Sequence, residues 1–171
     1  FSRGAGVEYI AGYGTTADYD RYNDGEWTRK SVRQAPARLH QIYGEVKYRG
    51  LYLLAGMKER HSLIVDDELS SGDLTRSNNA CPIPGVAAGF VDFQNIPFTN
   101  GWVQIEGEVM YGRFMDKNFR ENTFSHYTGL LSYNNEYIYR RCYFRTKPSQ
   151  PFCVTVGMQA AGEFGGVAYQ Y

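Results

Sequence analysis

The sequence predicts an all-β chain, an antiparallel up-and-down meander forming part of a transmembrane outer-membrane β-barrel. Three observations predict it. Several runs alternate apolar and polar residues with period two over about ten positions, the length of a tilted membrane-spanning strand. Tight turns at some strand ends contrast with long polar connections at others, the asymmetry of outer-membrane barrels. The composition is rich in Tyr (15), Phe (10) and Gly (19), as in antiparallel proteins with many turns.

The clearest element runs from Gly101 to Phe114, where Val103, Ile105, Gly107, Val109 and Tyr111 alternate with Gln104, Glu106, Glu108, Met110 and Gly112. Such a strand has one wet and one apolar face. A second pair begins at Leu39. His40, Ile42, Gly44, Val46 and Tyr48 alternate with Gln41, Tyr43, Glu45 and Lys47, and the partner arm, Leu51 to Arg60, follows Arg49-Gly50. An Arg-Gly pair between two such runs predicts a tight hairpin. A third pair is Tyr137 to Thr146 and Pro151 to Glu163, joined at Lys147-Pro148-Ser149-Gln150, with both prolines where no interior ladder donor is lost. Ala5 to Tyr13 and Val86 to Phe93 read as shorter strands. Thr15 to Ala37, His61 to Ala80 and Asp116 to Glu136 read as long polar loops. Trp27, Tyr43, Tyr48, Tyr52, Trp102, Tyr111, Phe114, Tyr137, Tyr139 and Tyr143 fall near strand ends, where interfacial girdles lie.

At 171 residues the length suggests one unit spanning residues 1–171. Lys+Arg and Asp+Glu balance at 18 each, which argues against a nucleic-acid partner needing a basic surface. No stretch approaches the roughly 18 apolar residues of a membrane helix. The negative mean hydropathy does not exclude a barrel, whose strands alternate polarity. Phe1 is followed by no charged-then-apolar leader, and Tyr171 follows a strand-like run. The chain is therefore expected to be a fragment of a longer protein, with two unpaired sheet edges.

Constellations that carry chemistry are sparse. Asp18, Asp20, Asp24 and Glu26 hint at a calcium loop, but with Asp20 first, Tyr22 and Ser31 stand where oxygen ligands, finally a bidentate Glu, are needed. Asp66, Asp67, Glu68 and Asp73 have no ligand spacing and read as solvated loop charges. His40, His61 and His126 form no zinc pair, and no Ser sits in a nucleophile elbow. Gly12-Tyr13-Gly14 and Gly162 to Gly166 open no helix, so they are not phosphate cradles. Glu106 and Glu108 share a face, and a pair of acids is what glycoside hydrolysis needs, but successive same-face residues are common in a wet-faced strand, so they read as the lining of a barrel lumen. Cys81, Cys142 and Cys153 match no metal spacing; a cross-strand Cys142–Cys153 disulfide is sterically conceivable, and incidental strand cysteines are the simpler reading. No cofactor, metal or catalytic residue is expected.

The segment Glu68-Leu-Ser-Ser-Gly-Asp-Leu-Thr-Arg-Ser-Asn-Asn-Ala-Cys-Pro-Ile-Pro84, the turn Ile96-Pro-Phe-Thr-Asn-Gly-Trp102 leading into the Gly107-Glu108 strand, and Pro151 to Gly166 together resemble the capsule assembly Wzi family of gut Bacteroides-type bacteria, across most of the chain from about Leu39. Cys81 departs from the pattern where a basic residue is expected, and Gln159 to Glu163 is a looser match. The resemblance implies residence in the bacterial outer membrane, with lipid as one partner. It also implies a non-catalytic role in assembling or attaching capsular or other surface polysaccharide. No individual sugar-contacting residue is implied. A porin-like channel and a soluble β-sandwich acting on glycans are the alternative classes.

Overall fold

The computed structural model describes residues 1–11, 16–23, 26–33, 37–62, 65–66, 68–73, 75–77, 80–115 and 130–170. Among them it is all-β and antiparallel, as predicted. Twelve strands follow in order: β1 (Ser2–Ala11), β2 (Thr16–Asn23), β3 (Glu26–Arg33), β4 (Ala37–Tyr48), β5 (Leu51–Met57), β6 (Gly85–Phe90), β7 (Gln94–Asn95), β8 (Val103–Arg113), β9 (Leu130–Tyr133), β10 (Glu136–Thr146), β11 (Thr155–Phe164) and β12 (Val167–Gln170). The main sheet runs β1-β4-β5-β6-β8-β10-β11, with β7 added against β8, while β2-β3 and β9-β12 form two-stranded ladders. β1 and β11 are the edges of the main sheet.

The β4–β5 turn forms where the Arg-Gly pair predicts it. Arg49 (φ 48°) and Gly50 (φ 81°) are both left-handed, the geometry whose twist matches that of antiparallel strands. Gly50→Val is expected to cost about 1–2 kcal/mol, since a branched side chain is strained at positive φ. A lowered thermal unfolding midpoint would report it, and an unchanged midpoint would argue against this turn geometry.

The short connections lie at one end. Gly50 C=O accepts from Val91 N–H, and Trp102 C=O from Lys147 N–H, so the β4–β5, β6–β8 and β10–β11 turns adjoin one another. The β5–β6 and β8–β10 connections leave from the opposite end.

Several boundaries differ from the sequence reading. Thr15 to Ala37 is not a loop, because β2 and β3 pair within it from Thr16↔Arg33 to Asn23↔Glu26. Asp116 to Glu136 contains β9, which pairs with β12; residues 116–129 lie outside the described ones. β5 stops at Met57, short of Arg60, because Lys58 and Arg60 leave the ladder to bind Glu45 and Glu108. β11 begins at Thr155, since Pro151 has no N–H to contribute and the chain first rejoins β10 where Thr146 N–H donates to Val154 C=O at 2.9 Å. β1 starts earlier than Ala5 and ends at Ala11, with Tyr13 outside the described residues. β6 ends at Phe90, because Val91 N–H is already committed to the β4–β5 turn.

Register divides the sheet into two faces. One continuous row is Gly4–Glu45–Leu54–Ala87–Met110–Tyr139–Ala161, and Leu54, Ala87, Met110 and Tyr139 form the hydrophobic cluster. The adjacent row on that face is Lys47–Tyr52–Gly89–Glu108–Arg141–Gln159. The largest fully buried side chain is a glutamate, Glu106, 1% exposed. The opposite face carries the apolar residues in the open: Val7, Leu53, Val86, Val109, Phe144, Val156 and Met158 are exposed, Leu53 at 64% and Met158 at 69%. Arg140 is an exposed charge among them, opposite Val109.

The aromatic residues divide between those faces. Tyr48 and Tyr111 are exposed at strand ends on the apolar side, Trp102 is exposed in the turn before β8, and Trp27 is exposed on β3. Tyr43, Tyr52, Tyr137, Tyr139 and Tyr143 point instead to the covered face, where they are buried or half-buried. Of the ten, four are thus exposed, five lie on the covered face and Phe114 is half-buried, because strand alternation sends neighbouring positions to opposite sides. Tyr143 lies over Gly157 of β11 so closely that a Cβ there would collide with its ring, a glycine required by its neighbour.

Candidate functional site

The covered face is held by charges. Arg141 of β10 donates to Glu106 Oε1 through Nε at 3.2 Å and Nη2 at 2.9 Å, and its Nη2 lies 3.3 Å from Glu108 Oε2. Glu108 also accepts from Arg60 Nη1 and, at 2.5 Å, from the Tyr52 hydroxyl. Glu45 binds Lys58 and, at 2.7 Å, Lys47. Toward the short-turn end Arg145 donates to Gln104 at 2.8 and 3.0 Å and stacks over Phe93 with its guanidinium carbon 3.9 Å from the ring centroid. Glu106 Oε2 is buried without a hydrogen-bond partner. The alternation of β8 predicts that Glu106 and Glu108 share a face, and the structure places both there. Their basic partners lie on other strands and in the connection after β5.

That connection, residues 58–84, covers the face. It leaves β5, and Thr75 Oγ1 reaches Gln159 Oε1 on β11 at 2.7 Å before the chain returns to β6. In the sheet order β6, β8 and β10 stand between β5 and β11, so the segment crosses all three. Its acids organise its own turns. Asp66 Oδ1 accepts from Glu68 N–H at 2.9 Å. Asp73 Oδ1 accepts from Thr75 N–H, Thr75 Oγ1 and Arg76 N–H at 2.8, 2.7 and 2.9 Å. Asp67 lies outside the described residues. Asp66 and Glu68 are exposed, as expected of solvated loop charges, whereas Asp73 is half-buried; Asp66 and Asp73 also cap local turns.

Burial pushes the Asp73 carboxyl up, but the hydrogen bonds from Thr75, Ser62 and Gln159 outweigh it and leave the group below its usual range. With the folded value depressed, the stabilisation is complete above the unfolded value of roughly 3.9 and is lost as pH falls through the folded one. The segment is expected to stay clamped from pH 5 to 8 and to loosen only below about pH 4. Hydrogen exchange at the Thr75 and Arg76 amides reads this directly; loosening between pH 5 and 7 would contradict it.

Between the segment and the strands lies a cavity of about 380 Å³, lined among others by Arg60, Asp73, Arg76, Tyr137, Tyr139 and Arg141. Phe114 meets Tyr137 edge-on at 5.4 Å. His61 and Cys81 also line it, whereas His40 binds Glu8 at 3.3 Å on β1 and β4 and His126 lies outside the described residues. All three cysteines are free. The conceivable Cys142–Cys153 bridge does not form: Cys142 faces Met158, and Cys153, before the start of β11, sits with Sγ 3.5 Å from Thr146 C=O. Of the acids weighed as a calcium loop, Glu26 lies on β3 and Asp18 and Asp20 on β2, and Asp24 lies outside the described residues. Among the described residues no three His, Cys, Asp or Glu side chains come together to hold a metal ion.

No family model, curated protein or solved structure matches the chain. The site therefore rests on its own geometry.

Proposed function

We propose that this chain is part of an outer-membrane β-barrel whose charged face lines the barrel interior, and that the protein assembles or attaches capsular or other surface polysaccharide by binding it, without catalysis. The observation that carries the membrane reading is the inversion of polarity: the exposed face is apolar while the covered face holds Glu45, Glu106, Glu108 and Arg141. A water-soluble sheet would do the reverse, because burying an ion is costly and exposing a broad apolar surface invites aggregation. In lipid the outward row costs nothing, and a polar interior is normal. β1, β4, β8, β10 and β11 run to 10, 12, 11, 11 and 10 residues, enough to span when tilted. From Val103 to Tyr111, at ~3.4 Å per residue and a tilt of about 40°, the rise is roughly 20 Å, near the height of an outer-membrane apolar band. Trp102 and Tyr111 then stand at its two limits. Arg140, one row from Tyr111, lies close enough to a limit for its guanidinium to snorkel toward headgroups.

The polysaccharide reading rests on the Wzi resemblance and is compatible with the aromatic and charged cavity. The segment covering the inner face favours a plugged barrel over the porin-like alternative. Deleting the full-length gene tests the role. Loss of surface-stained capsule, with free polysaccharide in the medium, is the expected result. Unchanged capsule would refute it and favour a channel.

A further inference from the structure

The cations around the cavity differ in how they are satisfied. Arg60 and Arg141 share Glu108, and Lys58 is bound to Glu45. Arg76 is different: its backbone N–H is held by Asp73, but among the described residues its guanidinium forms no ion pair and no hydrogen bond. It is half-buried, lines the cavity, and stands close enough to Arg60 for the two positive charges to disfavour each other, while Glu108 and Glu59 favour its charge only from a distance, without an ion pair. A half-buried guanidinium beside a second one normally has a carboxylate or phosphate as counter-ion. The Asp73 carboxylate forms no ion pair with it and already accepts from Thr75, the Arg76 amide, Ser62 and Gln159. Glu108 is already engaged by Arg60, Arg141 and Tyr52.

We propose that this cavity takes the carboxylate of an acidic sugar, a uronic acid residue of a surface polysaccharide, with Arg76 as its ion-pair partner. The inference rests on the polysaccharide reading above and deepens it. The size suits it: about 380 Å³ falls in the range of small-molecule sites and accommodates one pyranose ring with part of a neighbour. Tyr137 and Tyr139 give the walls an amphipathic character, apolar for the C–H faces of a sugar and polar at the hydroxyl. Arg76 presents a planar fork that can bind a carboxylate bidentately, which a lysine could not. It enters on the 58–84 segment, so a bound acid would also tie that segment to the strands beneath it.

The test uses the full chain in detergent micelles, with glucuronate and galacturonate as probes against glucose, galactose and inorganic phosphate. Isothermal titration is followed together with the alkylation rate of Cys81, which lines the same cavity. A uronate is expected to bind at least tenfold more tightly than its neutral counterpart and to slow Cys81 alkylation. Arg76→Gln should abolish the tenfold preference and Arg76→Lys should retain part of it. An unchanged thermal midpoint in each variant shows that the fold is intact. Equal binding of uronate and neutral sugar would overturn the inference while leaving the polysaccharide reading standing. Tighter binding of phosphate than of either uronate would overturn it in favour of a phosphorylated ligand. Failure of every sugar, and of purified capsular polysaccharide, would overturn both.

Discussion

Arg141→Leu is expected to destabilise the protein by about 3–5 kcal/mol, the usual cost of removing one partner from a buried ion pair. Arg141 donates two hydrogen bonds to Glu106, which is 1% exposed, and it also neutralises Glu108. Without it Glu108 keeps Arg60 as its ion-pair partner, while Glu106, on the adjacent row of β8, loses the two hydrogen bonds that hold its charge. Arg145→Leu supplies the contrast. It removes two hydrogen bonds to a neutral Gln104 and a contact with Phe93, so about 1–2 kcal/mol is expected. Urea unfolding in lipid vesicles measures both, and equal losses would mean that burial of charge is not what makes the cluster costly to break.

The second large effect lies on the opposite face. Leu53→Arg is expected to cost about 1–3 kcal/mol in a bilayer, less than at the midplane because its row ends on Arg140, whereas a surface substitution on a water-soluble sheet usually changes stability by less than about 0.5 kcal/mol. Leu53 is 64% exposed and sits in one row with Val46, Ala88 and Val109, so no packing inside the protein would account for a large loss. Gly4→Arg on the covered side serves as control, because a side chain there meets nothing nearby and its charge stands opposite the Glu45 carboxylate. Vesicle refolding yields of the two variants would separate the cases.

How much of this was legible in the sequence varies with the kind of signal. β8 could be read almost residue by residue, because one polar and one apolar row leave a period-two trace. So could the Arg49-Gly50 hairpin, whose turn chemistry is local. β2 and β3 left no such trace: Asp18, Asp20 and Tyr22 alternate with Tyr19 and Arg21, so neither row is apolar. The early end of β5 was hidden for another reason. Lys58 and Arg60 continue an acceptable strand pattern and leave it only because Glu45 and Glu108, distant in sequence, attract them. The same distance hid the site. Glu106 and Glu108 were visible as neighbours on one face, but Arg141 is 35 residues from Glu106 and Arg76 lies in a segment whose only local cue is the Asp73-x-Thr75 turn. The polarity of the two faces was legible as alternation; which face is covered depends on where residues 58–84 go.

The central claim is that the exposed apolar face meets lipid. Its most direct measurement places nitroxide labels one at a time along β8, from Gln104 to Tyr111, in the full-length protein in vesicles, and compares collisions with oxygen and with a water-soluble nickel chelate. The account predicts period-two behaviour: labels at Ile105, Gly107, Val109 and Tyr111 are reached by oxygen and shielded from nickel, and those at Gln104, Glu106 and Glu108 lose the oxygen preference. Nickel access at Ile105 and Val109 equal to that of a free label in water would contradict it.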